Sequence, residues 1–199
     1  MQLLVCGALV RIPLENRIAI VGNAASLKEH SYGEDIDRHL AVVRMNNAFP
    51  MPEMNCHIGK KTYLAVIVPQ SCFRKNIVAY FNRALEEFAV RFVLWTGPIS
   101  LFKPEYKEVF KKVKLFFNPF RTSLVRAIPT PTTGIATIYW FIRQGLINLD
   151  IYGFDFFKSG EWQNTHKTNG KVSGPHKPSV EKAWFLEQLE KYPSIHWYN

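Results

Sequence analysis

The sequence predicts an α/β fold, a Rossmann-like α/β/α sandwich built on a mostly parallel sheet. Short apolar runs rich in β-branched residues alternate along the chain with helical patterns of ten or more residues. Strands spaced by helices of that length pair in parallel, with helices on both faces. The composition agrees: 47% hydrophobic against 21% charged residues is the balance of a folded domain. At 199 residues the chain can build one substantial core and is short for two. Residues 1–199 are therefore read as a single domain.

The opening run MQLLVCGALV is apolar but too short to span a bilayer, and no basic segment precedes it. It is read as a buried or loosely docked N-terminal strand within an extension over residues 1–16. RIAIVGN (17–23) is a β-branched strand that stops abruptly at Gly22-Asn23, and LAVVRMN (40–46) and TYLAVIV (62–68) repeat the pattern. SCFRKNIVAYFNRALEEFA (71–89) is an amphipathic helix, followed by the strand RFVLWTG (91–97), the helix PEYKEVFKKV (104–113) and the strand KLFF (114–117). TGIATIYWFIRQGL (133–146) is a helix, LDIYGFDFF (149–157) a strand, and SVEKAWFLEQLEKY (179–192) the final helix. Residues 158–175, KSGEWQNTHKTNGKVSGP, have no periodicity and are rich in Gly, Ser, Asn and Thr. A loop of that length in a compact domain is often a lid or a binding loop, and this one joins a strand end to a helix, where open α/β sheets take their ligands.

The net charge of +9 favours an anionic partner: nucleic acid, an acidic membrane surface, or a phosphorylated or carboxylated substrate. Nucleic acid has only charge in its favour and is not expected. The densest basic patch, FKKVKLFF (110–117), reads as a solvated lysine face; with aromatics such as Phe116, Phe117 and Phe120 it also offers peripheral contact with an anionic membrane. Three cysteines, Cys6, Cys56 and Cys72, with no C-x-x-C pair indicate neither a disulfide framework nor a zinc knuckle, which fits a reducing, cytoplasmic setting.

Polar residues gather at strand ends and helix starts. A strand ending in a glycine turn presents backbone N–H groups to a phosphate, although G-x-G-x-x-G and G-K-[ST] are both absent. Gly22-Asn23, Asn46-Asn47 and PTPTTGIA (129–136) form one set, in which Thr132, Thr133 and the N–H of Gly134 fall where a helix N-terminus has unpaired donors. Singly, each threonine reads as an N-cap and each asparagine as a turn residue; jointly they suit a phosphate diester and a ribose. His176 stands at a loop-to-helix junction with Glu181 in the following helix, a placement that suits a general base as well as a plain cap. His166, in the loop before it, offers a second imidazole to a phosphate. Asp35-Ile36-Asp37 has the D-x-D form of a metal motif but lies in a short polar link, where a capping or solvated role is preferred.

At these residues the chain resembles the sialyltransferase family found in animals. VGNAASLKEHSYGEDIDRHLAVVRMNNAF, Val21 to Phe49, is similar to the family's large motif, PTTGIATIYWFIRQGLINLDIYGF, Pro131 to Phe154, to its small motif, and the H-x4-E from His176 to Glu181 to its very small motif. The resemblance covers about two-thirds of the sequence. It implies a metal-independent variant of the GT-A fold and an inverting glycosyltransferase that moves sialic acid from CMP-sialic acid to a hydroxyl of an oligosaccharide or glycolipid acceptor. It also implies that Asn23 and Asn46 contact the CMP phosphate, that Thr132, Thr133, Gly134 and Gly153 line the cytidine and ribose with Gly22 and Phe154 beside them, and that His176 is the base with Glu181 and His166 in support. No cofactor is expected, because the CMP-sugar is a substrate. The animal enzymes join their large and small motifs by a disulfide, and neither motif has a cysteine here; the expectation is a compact, cytoplasmic, bacterial-type relative serving lipopolysaccharide or capsule synthesis. A CMP-Kdo-dependent transferase and a non-catalytic CMP-binding homologue are the alternative readings.

Overall fold

The computed structural model describes residues 2–5, 8–11, 16–46, 48–68, 82, 85–88, 90–161 and 175–199. Its first element departs from expectation. The opening run is two strands, β1 (Gln2–Val5) and β2 (Ala8–Arg11), paired antiparallel in a small sheet of their own. Paired in this way, the two strands satisfy one another's backbone groups.

The other strands form one seven-stranded sheet in the order β7-β6-β5-β4-β3-β8-β9, parallel throughout. They are β3 (Ile18–Val21), β4 (Ala41–Met45), β5 (Leu64–Ile67), β6 (Phe92–Trp95), β7 (Lys114–Phe117), β8 (Leu149–Tyr152) and β9 (Ile195–Tyr198). In β3, β4, β5 and β8 every residue is buried. That is why these strands read as continuous apolar runs rather than as alternating ones. β9 is a short edge strand with one buried residue, too weakly patterned to be read beforehand.

Helices cover both faces. On one, α4 (Arg121–Ala127), α5 (Thr133–Arg143) and α6 (Pro178–Lys191) set Leu124, Ile135, Ile138, Phe141 and Phe185 against Ile18, Ile20, Val43 and Ile151. On the other, α1 (Gly33–Arg38) and α2 (Asn55–Ile58) bury Ile36 and Ile58 beside Val21 and Val42, while α3 (Pro104–Phe110) packs Tyr106 and Phe110 on Val93 and Trp95. The stretch read as a polar link is thus the short helix α1, and α4 was not anticipated. Most of the helix expected over 71–89 lies outside the described residues. Among the described residues no helix is long and apolar enough to cross a membrane. In the basic patch Phe116 is buried, and Phe117 and Phe120 pack inward, leaving the exposed lysines as its surface.

Two charged residues interrupt the apolar strands, and both are held. The Arg44 guanidinium, fully buried in β4, donates to the carbonyls of Ile58 (2.6 Å) and Lys61 (2.9 Å) and to Thr62 Oγ1 (3.1 Å). Its desolvation, only partly offset by Asp37, lowers its pKa to about 9. Asp150 in β8 accepts from Arg17 (Nε 2.7 Å, Nη2 2.5 Å) and His39 Nε2 (2.7 Å), with the more exposed His196 Nδ1 3.2 Å away. His39 Nδ1 faces the carbonyl of Asp35 at 2.9 Å. Both ring nitrogens of His39 therefore meet acceptors, so the ring is an imidazolium.

Burial opposes the charge on His39, but its bonds to Asp150 and the Asp35 carbonyl prevail and raise its pKa. Burial likewise opposes the charge on Asp150, and the bonds from His39 and Arg17 hold it well below the usual carboxylate range. The stability from His39 is thus complete below about pH 6.5 and is lost as pH rises through its folded pKa; that from Asp150 is complete above about pH 3.9 and is lost as pH falls. Melting temperature is expected to decline as pH rises above about 6.5 and through the raised folded pKa of His39, and Asp150→Asn to cost on the order of 3 kcal/mol while flattening that decline. Thermal melts of both proteins across this range check it. An equal slope in the two would remove His39 as the cause.

Candidate active site

Along the sheet, β4 to β7 step outward on one side of β3, and β8 and β9 lie on the other. The order reverses between β3 and β8, and at the carboxyl ends of such a pair the connections diverge and leave a crevice. Here Val21 and Tyr152 are opposite in register, Gly22 N–H donates to the Tyr152 carbonyl (2.7 Å) and Ala24 N–H to that of Gly153 (3.2 Å). A Cβ on Gly22 would lie 2.2 Å from the Gly153 carbonyl oxygen, and Gly153 has φ +66°. A side chain on Gly22 would displace the other turn, and one on Gly153 would meet Leu27 at 2.4 Å and strain a left-handed backbone.

Above the two turns opens a cleft of about 200 Å³. It is bordered by every candidate residue among those described: Gly22, Asn23, Asn46, Thr132, Thr133, Gly134, Gly153, Phe154, His176 and Glu181. His166 lies outside the described residues. The side chain of Asn23 follows β3 directly, and its Oδ1 is buried with no hydrogen-bond partner. An orphaned buried acceptor costs about 1–3 kcal/mol. A ligand hydroxyl or amine would satisfy it, and with the amide turned over the same position would donate to a phosphate oxygen.

Asn46 is committed elsewhere. At φ +54° it donates from Nδ2 to Thr133 Oγ1 (3.2 Å) and accepts the Val68 N–H at Oδ1 (3.2 Å), so it ties the ends of β4 and β5 to the start of α5. One Nδ2 hydrogen remains for a ligand. Thr132 is the N-cap of α5 and accepts the Ile135 N–H at Oγ1 (3.3 Å). Its own N–H and hydroxyl both donate to Glu181, at 2.7 and 2.8 Å. Burial pushes the Glu181 carboxyl up, against the two Thr132 bonds and the pull of His176. Glu181 and Thr132 thus brace one another across α6 and α5. The Thr133 hydroxyl and the Gly134 N–H remain at the helix N-terminus to meet an anion.

His176 stands at the far wall, where its Nδ1 lies 2.7 Å from the carbonyl of Thr130. A carbonyl only accepts, so Nδ1 carries a proton, and in the neutral ring Nε2 is the nitrogen with the lone pair. The ring of Phe157 lies nearly parallel to the imidazole, 6.3 Å between centroids. The sequence reading missed Asp155, Phe156 and Phe157 on this wall, while Gly160 and Glu161 belong to the stretch 158–175 that it read as a binding loop. Phe156 and Phe157 both have positive φ, Asp155 Oδ2 accepts the Ser159 N–H (2.6 Å), and Gly160 and Glu161 run beside Ala24-Ala25. Burial raises the Glu161 pKa, against the pull of His176. The D-x-D pair is outside the cleft: Asp35 pairs with Arg38 at 2.5 Å, and Asp37 caps the N–H groups of Lys60 and Lys61 at 2.9 Å.

Residues 15–101 match glycosyltransferase family 29 (sialyltransferase). Over 187 residues the chain is 30% identical to CMP-N-acetylneuraminate-beta-galactosamide-alpha-2,3-sialyltransferase 1 of Pan troglodytes, in an alignment that covers 85% of this chain and 53% of that protein. The chain is a relative of the family 29 sialyltransferases. It spans about half the length of the curated sialyltransferases it matches. Among solved structures, a mammalian sialyltransferase superposes with a TM-score of 0.62 at 22% identity, covering 92% of this chain and 68% of that one. The sialyltransferase CstII from Campylobacter jejuni, in complex with the substrate analogue CMP-3FNeuAc, superposes with a TM-score of 0.61 at 20% identity, covering 92% and 81%. The parallel sheet with its flanking helices is thus the sialyltransferase fold, as its motifs imply.

The tight crossing of the two turns gives a direct test. Gly22→Ala is expected to lower stability by about 1–3 kcal/mol, the usual cost of overpacking a closed site, which urea titration measures. A variant as stable as the parent would mean that the turns separate freely and do not fix the cleft.

Proposed function

We propose that this chain is an inverting, metal-independent glycosyltransferase that moves sialic acid from CMP-sialic acid to a hydroxyl of a glycan acceptor. One observation carries the reading: the His176 ring is fixed with its Nε2 unbonded among the described residues, on a cleft whose other wall is the N-terminus of α5. Base and anion site are both in place before any ligand arrives. In the step that follows, Nε2 takes the proton of an acceptor hydroxyl, the hydroxyl oxygen bonds to the anomeric carbon from one side, and the bond from that carbon to the CMP phosphate breaks on the other. The configuration inverts, and CMP leaves as the anion.

The phosphate would lie against the Gly134 N–H and the Thr133 hydroxyl, where the partial positive charge of a helix N-terminus favours it. Asn23 would serve the phosphate or a ribose hydroxyl. Charge compensation by α5, with Asp35 and Asp37 engaged away from the cleft, supports a reaction that needs no divalent ion. A positioned base contributes typically about 10²–10⁴ in rate. The family and the analogue bound by CstII support CMP-sialic acid as the donor, and the name of the Pan troglodytes relative supports a galactoside acceptor.

Calorimetric titration with CMP in EDTA is expected to show micromolar binding that Asn23→Ala weakens at least tenfold. His176→Ala should keep CMP binding and lose at least about 10² in transfer to a galactoside. Binding without transfer from either CMP-sialic acid or CMP-Kdo would leave a nucleotide-binding homologue. Transfer unchanged by His176→Ala would remove the assigned base.

A further inference from the structure

The position of His176 rests on a residue outside the motifs. Thr130 lies between Pro129 and Pro131, and it makes two bonds to the chain around His176. Its carbonyl accepts the proton of His176 Nδ1 at 2.7 Å, and its hydroxyl directs its one proton between the carbonyls of Pro175 at 2.6 Å and Pro129 at 2.7 Å. Segments 45 and 46 residues apart in sequence are clamped by one threonine.

The backbone at this point is unfavourable in three ways. Thr130 has φ +54°, a region in which non-glycine residues are uncommon and β-branched ones are outliers. It also precedes a proline, which pushes a residue toward extended conformations. A residue held there costs of order 1–3 kcal/mol and persists only where its surroundings fix it. Here that conformation aims the carbonyl at the imidazole, and the hydroxyl bond to Pro175 fixes it.

We propose that Thr130 is a positioning residue: its left-handed conformation, locked through Pro175, holds His176 in the Nδ1–H tautomer and directs Nε2 into the cleft. The Phe157 ring supports the other side of the imidazole. Glu161 and Glu181 are the carboxylates that act on His176 through their charge. The Thr130 carbonyl is the acceptor at Nδ1, at 2.7 Å, and sets the tautomer. The catalytic part of this inference rests on the function proposed above; the tautomer does not.

Three variants of the full chain separate the parts. Thr130→Ser keeps the hydroxyl, Thr130→Val keeps the shape and loses it, and Thr130→Gly loses it while accepting positive φ, so that one hydroxyl-free variant folds even if valine does not. Nitrogen-15 NMR of the histidine rings reads the tautomer without turnover. Neutral His176 is expected as Nδ1–H in the parent and in Thr130→Ser, and as a mixture of tautomers in the other two. Transfer in the hydroxyl-free variants should fall about tenfold in kcat with the donor KM within twofold, and the acidic limb of the pH–rate profile should shift; Thr130→Ser should restore both.

An Nε2–H tautomer in the parent would overturn the proposal, as would a tautomer, kcat and pH profile unchanged in both hydroxyl-free variants. Loss of CMP binding along with transfer in all three would mark Thr130 as structural only, and would also overturn it. If the parent binds CMP yet transfers nothing, the proposed function fails while the NMR arm still decides the clamp.

Discussion

The close crossing of the turns after β3 and β8 is the constraint on which the rest depends. Parallel strands cannot be joined by a hairpin, so the two turns belong to different crossovers and are free to diverge. They diverge only after Gly22 and Gly153 have passed within the space of one missing methyl group. That approach sets the floor of the cleft. The start of α5, the Asn46 amide and the imidazole of His176 are then walls placed around a fixed point, each held by its own bonds to a neighbouring strand or helix.

The electrostatics divide the molecule. On the face of α1, near the amino ends of the strands, Arg17, His39 and Asp150 neutralise one another, while Arg44, further along β4, donates to two carbonyls and Thr62 and keeps one buried nitrogen, Nη1, without a partner among the described residues. At the carboxyl ends the groups are left incomplete. Among the described residues the Asn23 Oδ1 has no partner and the imidazole Nε2 is unbonded, while the helix start at Thr133-Gly134 offers its donors outward. Buried polar groups are normally satisfied. One that is left short on the wall of an open cleft, as the Asn23 Oδ1 is, marks a place for a ligand.

Much of this was legible in the sequence, and the reasons are local. Strands buried on both faces betray themselves as unbroken apolar runs, so β3 to β6 and β8 could be read directly, as could the long helices α5 and α6. Gly22-Asn23 and Thr132-Thr133-Gly134 could be read because turns and caps use few residue types. What could not be read depends on partners distant along the chain. β9 has one buried residue and is a strand only because β8 lies beside it. The engagement of Asn46 with Val68 and Thr133, the brace between Thr132 and Glu181, and the left-handed Thr130 beneath His176 are all set by tertiary contacts. Phe157 was read as the end of a strand that stops at Tyr152, and Glu161 belongs to a stretch with no periodicity, in which no residue type announces its direction.

The separation in sequence of the groups that meet in this sheet also bears on how the molecule comes into being. Arg17 and Asp150 are 133 residues apart, and the sheet's central pairing, β3 with β8, spans nearly the same distance. Such contacts repay their loop-closure entropy late and make parallel sheets slow to form. Strands β4 to β7 can add to β3 in the order in which they are synthesised, but the side of β3 that faces β8 stays an open edge until most of the chain has left the ribosome. During that interval the half-built sheet exposes unpaired backbone and apolar surface. The cleft, which lies on that same boundary, is among the last features of the protein to exist.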